Sequence, residues 1–587
     1  MNSFLKQVLA TVVGFFCIGI FMLVMGTVMM LSVIALGNQK PTLDEKTVLR
    51  LNLNGTLTEQ ARENPFAELM GNPAMAEQGL DNLLKAIKTA KTNDKIAGIY
   101  LEGGVLSADF ASLEELRKAL LDFKKSKKFV VAYADNYMQG TYYLASVADK
   151  ILINPEGMLD WHGIASQPIF FKDLLEKVGV KMQVFRVGTY KSYVEPYTRT
   201  EMSDANREQV HSFISDIWNN VCKDVAASRH IKAETLSSYA DRYMALTKTP
   251  EYVKLGLVDS LTYIDGTRDY LRRLTGTEKV KFISPSALAQ LHEAGDSDDK
   301  VAVYYAFGGI VGAEQSGGLS QEAQIVGPKV VEDLDRLMND EKVKAVVLRI
   351  NSGGGSAYAS EQMWHAIQQL KKKKPVVVSM GGMAASGGYY MACGADYIFA
   401  EPTTLTGSIG IFGMVPDATG LLTDKLGLHF DVVKTNEASD FGAMGRPFSA
   451  AETAAMQNYV ERGYSLFLKR VAAGRKMKPE AVDSIAQGRV WTGSQALKIK
   501  LVDRLGTLDN AVAEAARRAG LKEYAVTEEP GMAPWLDRLM KTAQGGDYLE
   551  QQLRAILGVY YQPLHFIKGL RGTDCLQARI PFEPNLN

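Results

Sequence analysis

"SGGYYMACGADYIFAEPTT", residues 386–404, has a second version 247 positions upstream in "QGTYYLASVADKILINPEG", residues 139–157. Both run from a small, glycine-containing segment with paired tyrosines into an apolar stretch of strand length. The same 247-residue interval joins "DKIAGIYLEGG" at 94–104 to "EKVKAVVLRINSGGG" at 341–355. "GVKMQVF" at 179 meets "GLHFDVV" at 427, and "KLGLVDSL" at 254 meets "KIKLVDRL" at 498, so the register persists with small slips. Self-similarity held over so long a span is a tandem duplication. It divides the chain into a first repeat at 47–265, a connection at 266–299 and a second repeat at 300–520.

Each repeat alternates β-branched runs with helical spacing. In the second, "VAVYYAF" (301–307) and "VKAVVLRIN" (343–351) read as strands, and "SEQMWHAIQQLKKK" (360–373) reads as a helix with its cations at the C-terminal end. "PVVVSMG" (375–381) and "YIFAEP" (397–402) continue the alternation. Continuous apolar strands between helices predict α/β units with parallel sheets covered on both faces. Residues 521–587 depart from this pattern and read as amphipathic tail helices, packed on the body or touching a membrane surface.

Outside the repeats one segment stands apart. Residues 8–37 carry no charged side chain. They exceed the roughly 20 residues needed to cross a bilayer core and the about 7–15 of a signal-peptide core. Residues 1–46 are therefore expected to be a retained membrane anchor with a short linker, leaving the body in water on one side. Basic and acidic residues balance at 66 each, which gives no electrostatic footprint for nucleic acid. The four cysteines (Cys17, Cys222, Cys393, Cys575) lack C-x-x-C spacing, so neither a zinc site nor a disulfide framework is indicated, and no cofactor is expected.

The chemistry-bearing candidates lie at glycine clusters. "NSGGGS" (351–356) ends a strand and opens a helix, where backbone N–H groups could hold an oxyanion. It is neither a Walker loop nor G-x-G-x-x-G. "TLTGSIGIFG" (404–413) offers Ser408 as a nucleophile, and "GGMAASGGYY" (381–390) offers Ser386. A serine nucleophile needs a base. Only His365 and His429 fall in the second repeat, and neither sits in a triad signature. The duplication suggests a lysine instead. Ser408 aligns with Trp161 of the first repeat, while Lys191 in "VGTYKSYVEPY" aligns with Ser439 of the second. One repeat keeps a hydroxyl and the other an amine. A lysine acts as a base only when burial or a neighbouring cation depresses its pKa, which demands a dry cleft between the repeats.

"INSGGGS", "VSMGGMAASGGYYMA", "TLTGSIGIFG" and "VGTYKSYVEPY", in the spacing seen here and behind a membrane anchor, resemble the signal peptide peptidase A (protease IV) family in its long, duplicated form. The resemblance covers about 47–520. It implies βα superhelical units of the Clp-protease and crotonase kind, and a Ser/Lys dyad with Ser408 as nucleophile and Lys191 as general base. It also implies a homotetramer on the outer face of a bacterial inner membrane that degrades released signal peptides. By analogy with Clp-type proteases, Gly354 or Gly355 would donate to the oxyanion. The Clp pattern itself would select Ser386 as nucleophile, whereas the signal peptide peptidase pattern selects Ser408. Where the family commonly reads N-S-P-G-G, this chain has Asn351-Ser352-Gly353-Gly354-Gly355, a more flexible loop. Two rival readings are a crotonase-like acyl-CoA enzyme and a non-catalytic membrane scaffold on a protease fold.

Overall fold

In the computed structural model the described residues are 42–61, 77–292, 295–314, 323–530 and 576–579, with scattered helical positions between 14 and 25. Most of the apolar run at 8–37 lies outside them, as do 531–575 and 580–587 of the tail expected to be helical over 521–587. Among the described residues no helix is long and apolar enough to cross a membrane.

The first repeat centres on parallel strands Thr47–Thr58, Ile96–Ser107, Phe129–Tyr137 and Lys150–Leu159, neighbours in that order. The second centres on Lys300–Phe307, Val343–Ser352 and Val376–Ala385, also parallel, with Tyr397–Ala400 and Leu405–Gly407 both pairing to the last of these. Strand Ala525–Glu529 adds in parallel to Lys300–Phe307. Val376–Ala385 is buried at every position, as expected of a strand covered on both faces.

Helix starts follow from local chemistry. Asp109 accepts from the N–H of Ser112 to cap Phe110–Lys124, and Ser356 accepts from the N–H of Ala359 to cap Ala357–Lys371. These two helices lie 247 residues apart, as do strands Phe129–Tyr137 and Val376–Ala385 at their starts. The duplication is thus structural.

The repeats are not beads on a string. Met383, Ala385, Leu405 and Val490 of the second repeat belong to the core of the first, and Phe185 of the first belongs to that of the second. Strand Lys181–Arg186 pairs antiparallel with Phe412–Asp417 across the boundary. An ion cluster adds to this seam: buried Arg349 bonds buried Glu59 at 2.8 Å and Glu115 at 2.7 Å, and the partly exposed Lys118 bonds buried Glu114 at 2.9 Å and also buried Glu401. Buried charges stay tolerable only when every member is paired, so this seam penalises any other arrangement of the repeats.

The tail, expected to be helical, departs from that expectation at two described segments, each drawn into a strand by the sheet edge presented to it. Ala525–Glu529 extends the second repeat's sheet, and Leu576–Arg579 forms a strand between Gly354–Ser356 and Phe412–Asp417, antiparallel to both.

Candidate active site

Strand Val376–Ala385 runs directly into helix Gly387–Ala392, and Ser386 is the whole of the turn. Its backbone sits at φ 54° and ψ −114°, a region costly for any residue with a Cβ. The turn is held by Ser386 N–H donating to Gly407 C=O at 2.8 Å and by Tyr390 N–H donating to Ser386 C=O at 2.8 Å. The two glycines that follow are needed for space. A Cβ on Gly387 would lie 2.7 Å from Ser360 Oγ and 3.2 Å from Gly354 Cα, and one on Gly388 would lie 2.7 Å from Ser352 C=O. The elbow therefore abuts the glycine loop. Ser386 does not cap its helix, so its hydroxyl is available for other work.

Ser408 leaves strand Leu405–Gly407 with φ 48°, and its N–H donates to Arg489 C=O at 2.7 Å. Lys191 comes from the first repeat, in the turn after strand Lys181–Arg186. Gly188, at φ 105°, reverses the chain there, and Tyr190 N–H donates to Gln487 C=O of the second repeat at 2.8 Å.

These three side chains meet. Lys191 Nζ lies 2.8 Å from Ser386 Oγ, 3.1 Å from Ser408 Oγ and 3.1 Å from Ser408 C=O. All three residues are fully buried. Burial holds the Lys191 amine well below the ordinary lysine range. Among the described residues no carboxylate bonds to it. An amine without a counter-ion, set between two hydroxyls and a carbonyl, is built to exchange a proton with an alcohol.

The glycine loop flanks this site. Gly354 N–H donates to Ser352 Oγ at 3.1 Å, and Ser352 Oγ in turn donates to Gly308 C=O at 2.7 Å. Gly355 pairs with Ile310, and a Cβ there would fall 2.1 Å from the Ile310 carbonyl oxygen, so the position admits only glycine. His365 and His429 are both exposed, and no hydrogen bond joins either to the two serines.

Two supports of the site have no counterpart in the sequence reading. One is the segment Gln487–Trp491, which bonds to the turns of both Lys191 and Ser408; the other is Gln209, buried behind Lys191. A glutamine in an amphipathic helix resembles any surface polar residue, so nothing in its neighbours marks it.

Known proteins bear on this arrangement. The pattern of peptidase family S49 matches twice, over residues 122–278 and 368–522, and that of Clp protease matches 320–404. The chain is similar to Protease 4 of Salmonella typhi, with 37% identity over 85% of this chain and 82% of that protein. Protease 4 of Haemophilus influenzae is 35% identical over 84% of this chain and 82% of its own length. The chloroplastic serine protease SPPA of Arabidopsis thaliana is 30% identical over 81% of this chain and 69% of its own. A family pattern found once in each repeat, and relatives alike along most of both lengths, lead to one conclusion: the chain belongs to peptidase family S49 and is a serine peptidase.

Proposed function

We propose that the chain is a membrane-anchored serine endopeptidase that hydrolyses apolar, extended peptides such as released signal peptides, through a dyad shared between its repeats. The observation that carries this reading is the uncompensated Lys191 amine, brought from the first repeat onto two serine hydroxyls of the second.

Both serines reach the amine, and both turn at positive φ, 54° at Ser386 and 48° at Ser408. Ser386 occupies a strand-to-helix elbow against the glycine loop, and Ser408 offers its hydroxyl and its carbonyl together to Lys191. We assign the nucleophile to Ser408, the residue selected by the family pattern, and give Ser386 the task of holding the amine. Neutral Lys191 accepts the Ser408 proton through Nζ while its two N–H bonds point at Ser386 Oγ and the Ser408 carbonyl. Ser408 Oγ attacks the scissile carbonyl, and backbone N–H groups of the glycine loop, Gly355 or Gly354 once released from Ser352 Oγ, stabilise the tetrahedral oxyanion. The ammonium then protonates the leaving amine, and water releases the acyl group by the reverse path.

An extended substrate suits the site because the chain's own Leu576–Arg579 already adds as an antiparallel strand along Gly354–Ser356. Exposed Leu426, Leu428, Phe430, Val432, Val433 and Met444 cluster within 19 residues of the second repeat, which supports association with further copies into a homotetramer. The uncharged run at 8–37 supports single-pass anchoring, with the body outside a bacterial inner membrane.

The test is hydrolysis of an internally quenched apolar peptide by detergent-solubilised protein. Ser408→Ala is expected to lose on the order of 1,000-fold or more in kcat, and Ser386→Ala about 10- to 100-fold. An active Ser408→Ala beside an inert Ser386→Ala would reverse the assignment. A wild-type protein that binds the peptide and leaves it intact would support the scaffold reading.

A further inference from the structure

Gln209 lies on helix Asp204–Arg229 of the first repeat and is fully buried. Its Oε1 accepts from Val490 N–H at 3.2 Å. Its Nε2 donates to Tyr190 C=O at 3.0 Å and to Ser192 Oγ at 2.9 Å, with Asn206 Oδ1 at 3.1 Å. A backbone N–H can only donate and a backbone C=O can only accept, so these two partners fix which end of the amide points where. Every polar group of the side chain is thereby committed.

What it grips matters more than how tightly. The Tyr190 carbonyl belongs to the peptide bond that leads into Lys191. Val490 pairs with Gly407, the residue before Ser408. The stretch between them is bonded to both turns: Tyr190 N–H donates to Gln487 C=O at 2.8 Å, Ser408 N–H to Arg489 C=O at 2.7 Å, and Gly488 N–H to Ile409 C=O at 2.9 Å. Gly488 is packed so closely that a Cβ there would lie 2.6 Å from Lys191 N. One side chain thus bridges the backbone that aims the amine and the backbone that carries a hydroxyl, although these belong to different repeats.

The rest of the pocket wall keeps Gln209 in place. Ser192 Oγ donates to Asn206 Oδ1 at 2.8 Å, and Asn206 Nδ2 donates to Glu195 Oε2 at 3.0 Å. Ser192, Glu195, Asn206 and Gln209 are all buried, and a closed polar network of this kind specifies one geometry. Precise placement is what a lysine base demands, because an error of about 1 Å in a reacting group can cost on the order of 100-fold in rate.

We propose that Gln209 is a positioning residue that fixes the Tyr190–Lys191 peptide against the strand behind Ser408, and so sets the lysine amine over both serine hydroxyls. The inference rests on Lys191 being the general base. Gln209 lies behind Lys191 and bonds no part of the glycine loop, so its loss should act on turnover and not on peptide binding.

The experiment compares wild type, Gln209→Met and Gln209→Glu as full-length, detergent-solubilised protein on an internally quenched apolar peptide, reading kcat, KM and the pH dependence of kcat/KM. Methionine keeps the volume and loses every hydrogen bond. Glutamate keeps the acceptor for Val490 N–H but sets an oxygen against the Tyr190 carbonyl. Gln209→Met is expected to lower kcat about 10- to 100-fold with KM within about twofold of wild type. Its inflection should move to higher pH, because a loosened Lys191 turn admits water and restores part of the amine's basicity. Gln209→Glu should move the inflection further, since its charge favours the ammonium. The inflection is independent of the folded fraction, so a purely structural loss would lower the amplitude and leave the midpoint alone. If wild type shows the inflection and neither variant moves it, Gln209 has no positioning role. If wild type shows no inflection, the lysine-base reading fails and this inference with it.

Discussion

In the proposed mechanism Lys191 is the residue on which the chemistry turns, because its burial works against the fold and for the reaction. A free lysine titrates near 10.4, and desolvation in the closed site lowers this value well below its ordinary range. Activity should rise with pH as the amine loses its proton, with the midpoint at that depressed value. Arginine stays charged throughout this range, so Lys191→Arg should be as inactive as Lys191→Ala, each down on the order of 100-fold or more in kcat/KM. Stability carries the opposite sign. Between the depressed value and about 10.4 the unfolded chain holds one proton more than the folded one, so this group's contribution to stability rises with pH across that window. Lys191→Met should abolish turnover, flatten that slope and raise the melting temperature at neutral pH, as thermal melts across the window would register. A lower melting temperature in Lys191→Met would show that the amine's hydrogen bonds outweigh its desolvation. The nearness of Lys191 to Ser408 was legible in the sequence through complementary loss, since Trp161 and Ser439 fill the corresponding places in the opposite repeats. That Ser386 also reaches the amine was not: it sits among small residues as Ser408 does, and its place at the elbow, φ 54° with ψ −114°, is a backbone conformation that motifs do not encode.

At the scale of elements, the glycine loop and its neighbours form an open edge that the chain itself fills. Gly354–Ser356 takes Ile310 on one side through Gly355 and Leu576–Arg579 on the other. An extended peptide would compete for that second side. Deleting residues 576–587 should therefore lower KM for an apolar peptide about three- to tenfold with kcat nearly unchanged, because a larger fraction of the enzyme has its slot open. A raised KM or lost turnover would mean that the strand is instead a fixed wall of the cleft. The strands and helices of the repeats were readable because their periodicities are set by burial against the parallel sheets, as in Val376–Ala385. Leu576–Arg579 was not readable: four residues hold too little pattern, and the strand exists only where an edge is presented to it. The same holds for Val490–Thr492, whose antiparallel pairing with Leu405–Gly407 is fixed by tertiary context.

For the whole molecule, duplication followed by specialisation would leave neither repeat with a complete dyad, as the proposed mechanism requires. The two cores share side chains, a strand pair crosses the boundary, and buried Arg349, Glu59 and Glu115 join the sheets, so the repeats are held at one relative position. That fixed seam is what allows an amine from one half to meet a hydroxyl from the other within hydrogen-bonding distance. The repeat boundaries emerge from the 247-residue register alone; the interlocking does not, because residues such as Met383 and Phe185 look like core members of their own repeat. The central claim is that Lys191 of the first repeat activates Ser408 of the second, and covalent labelling tests it most directly. Full-length protein would be treated with a fluorophosphonate and the adduct located by peptide mass mapping, in wild type and in Lys191→Ala. The account predicts the adduct on Ser408 and labelling slower by on the order of 100-fold without the lysine. An adduct on Ser386, or labelling of Ser408 that is undiminished in Lys191→Ala, would contradict it.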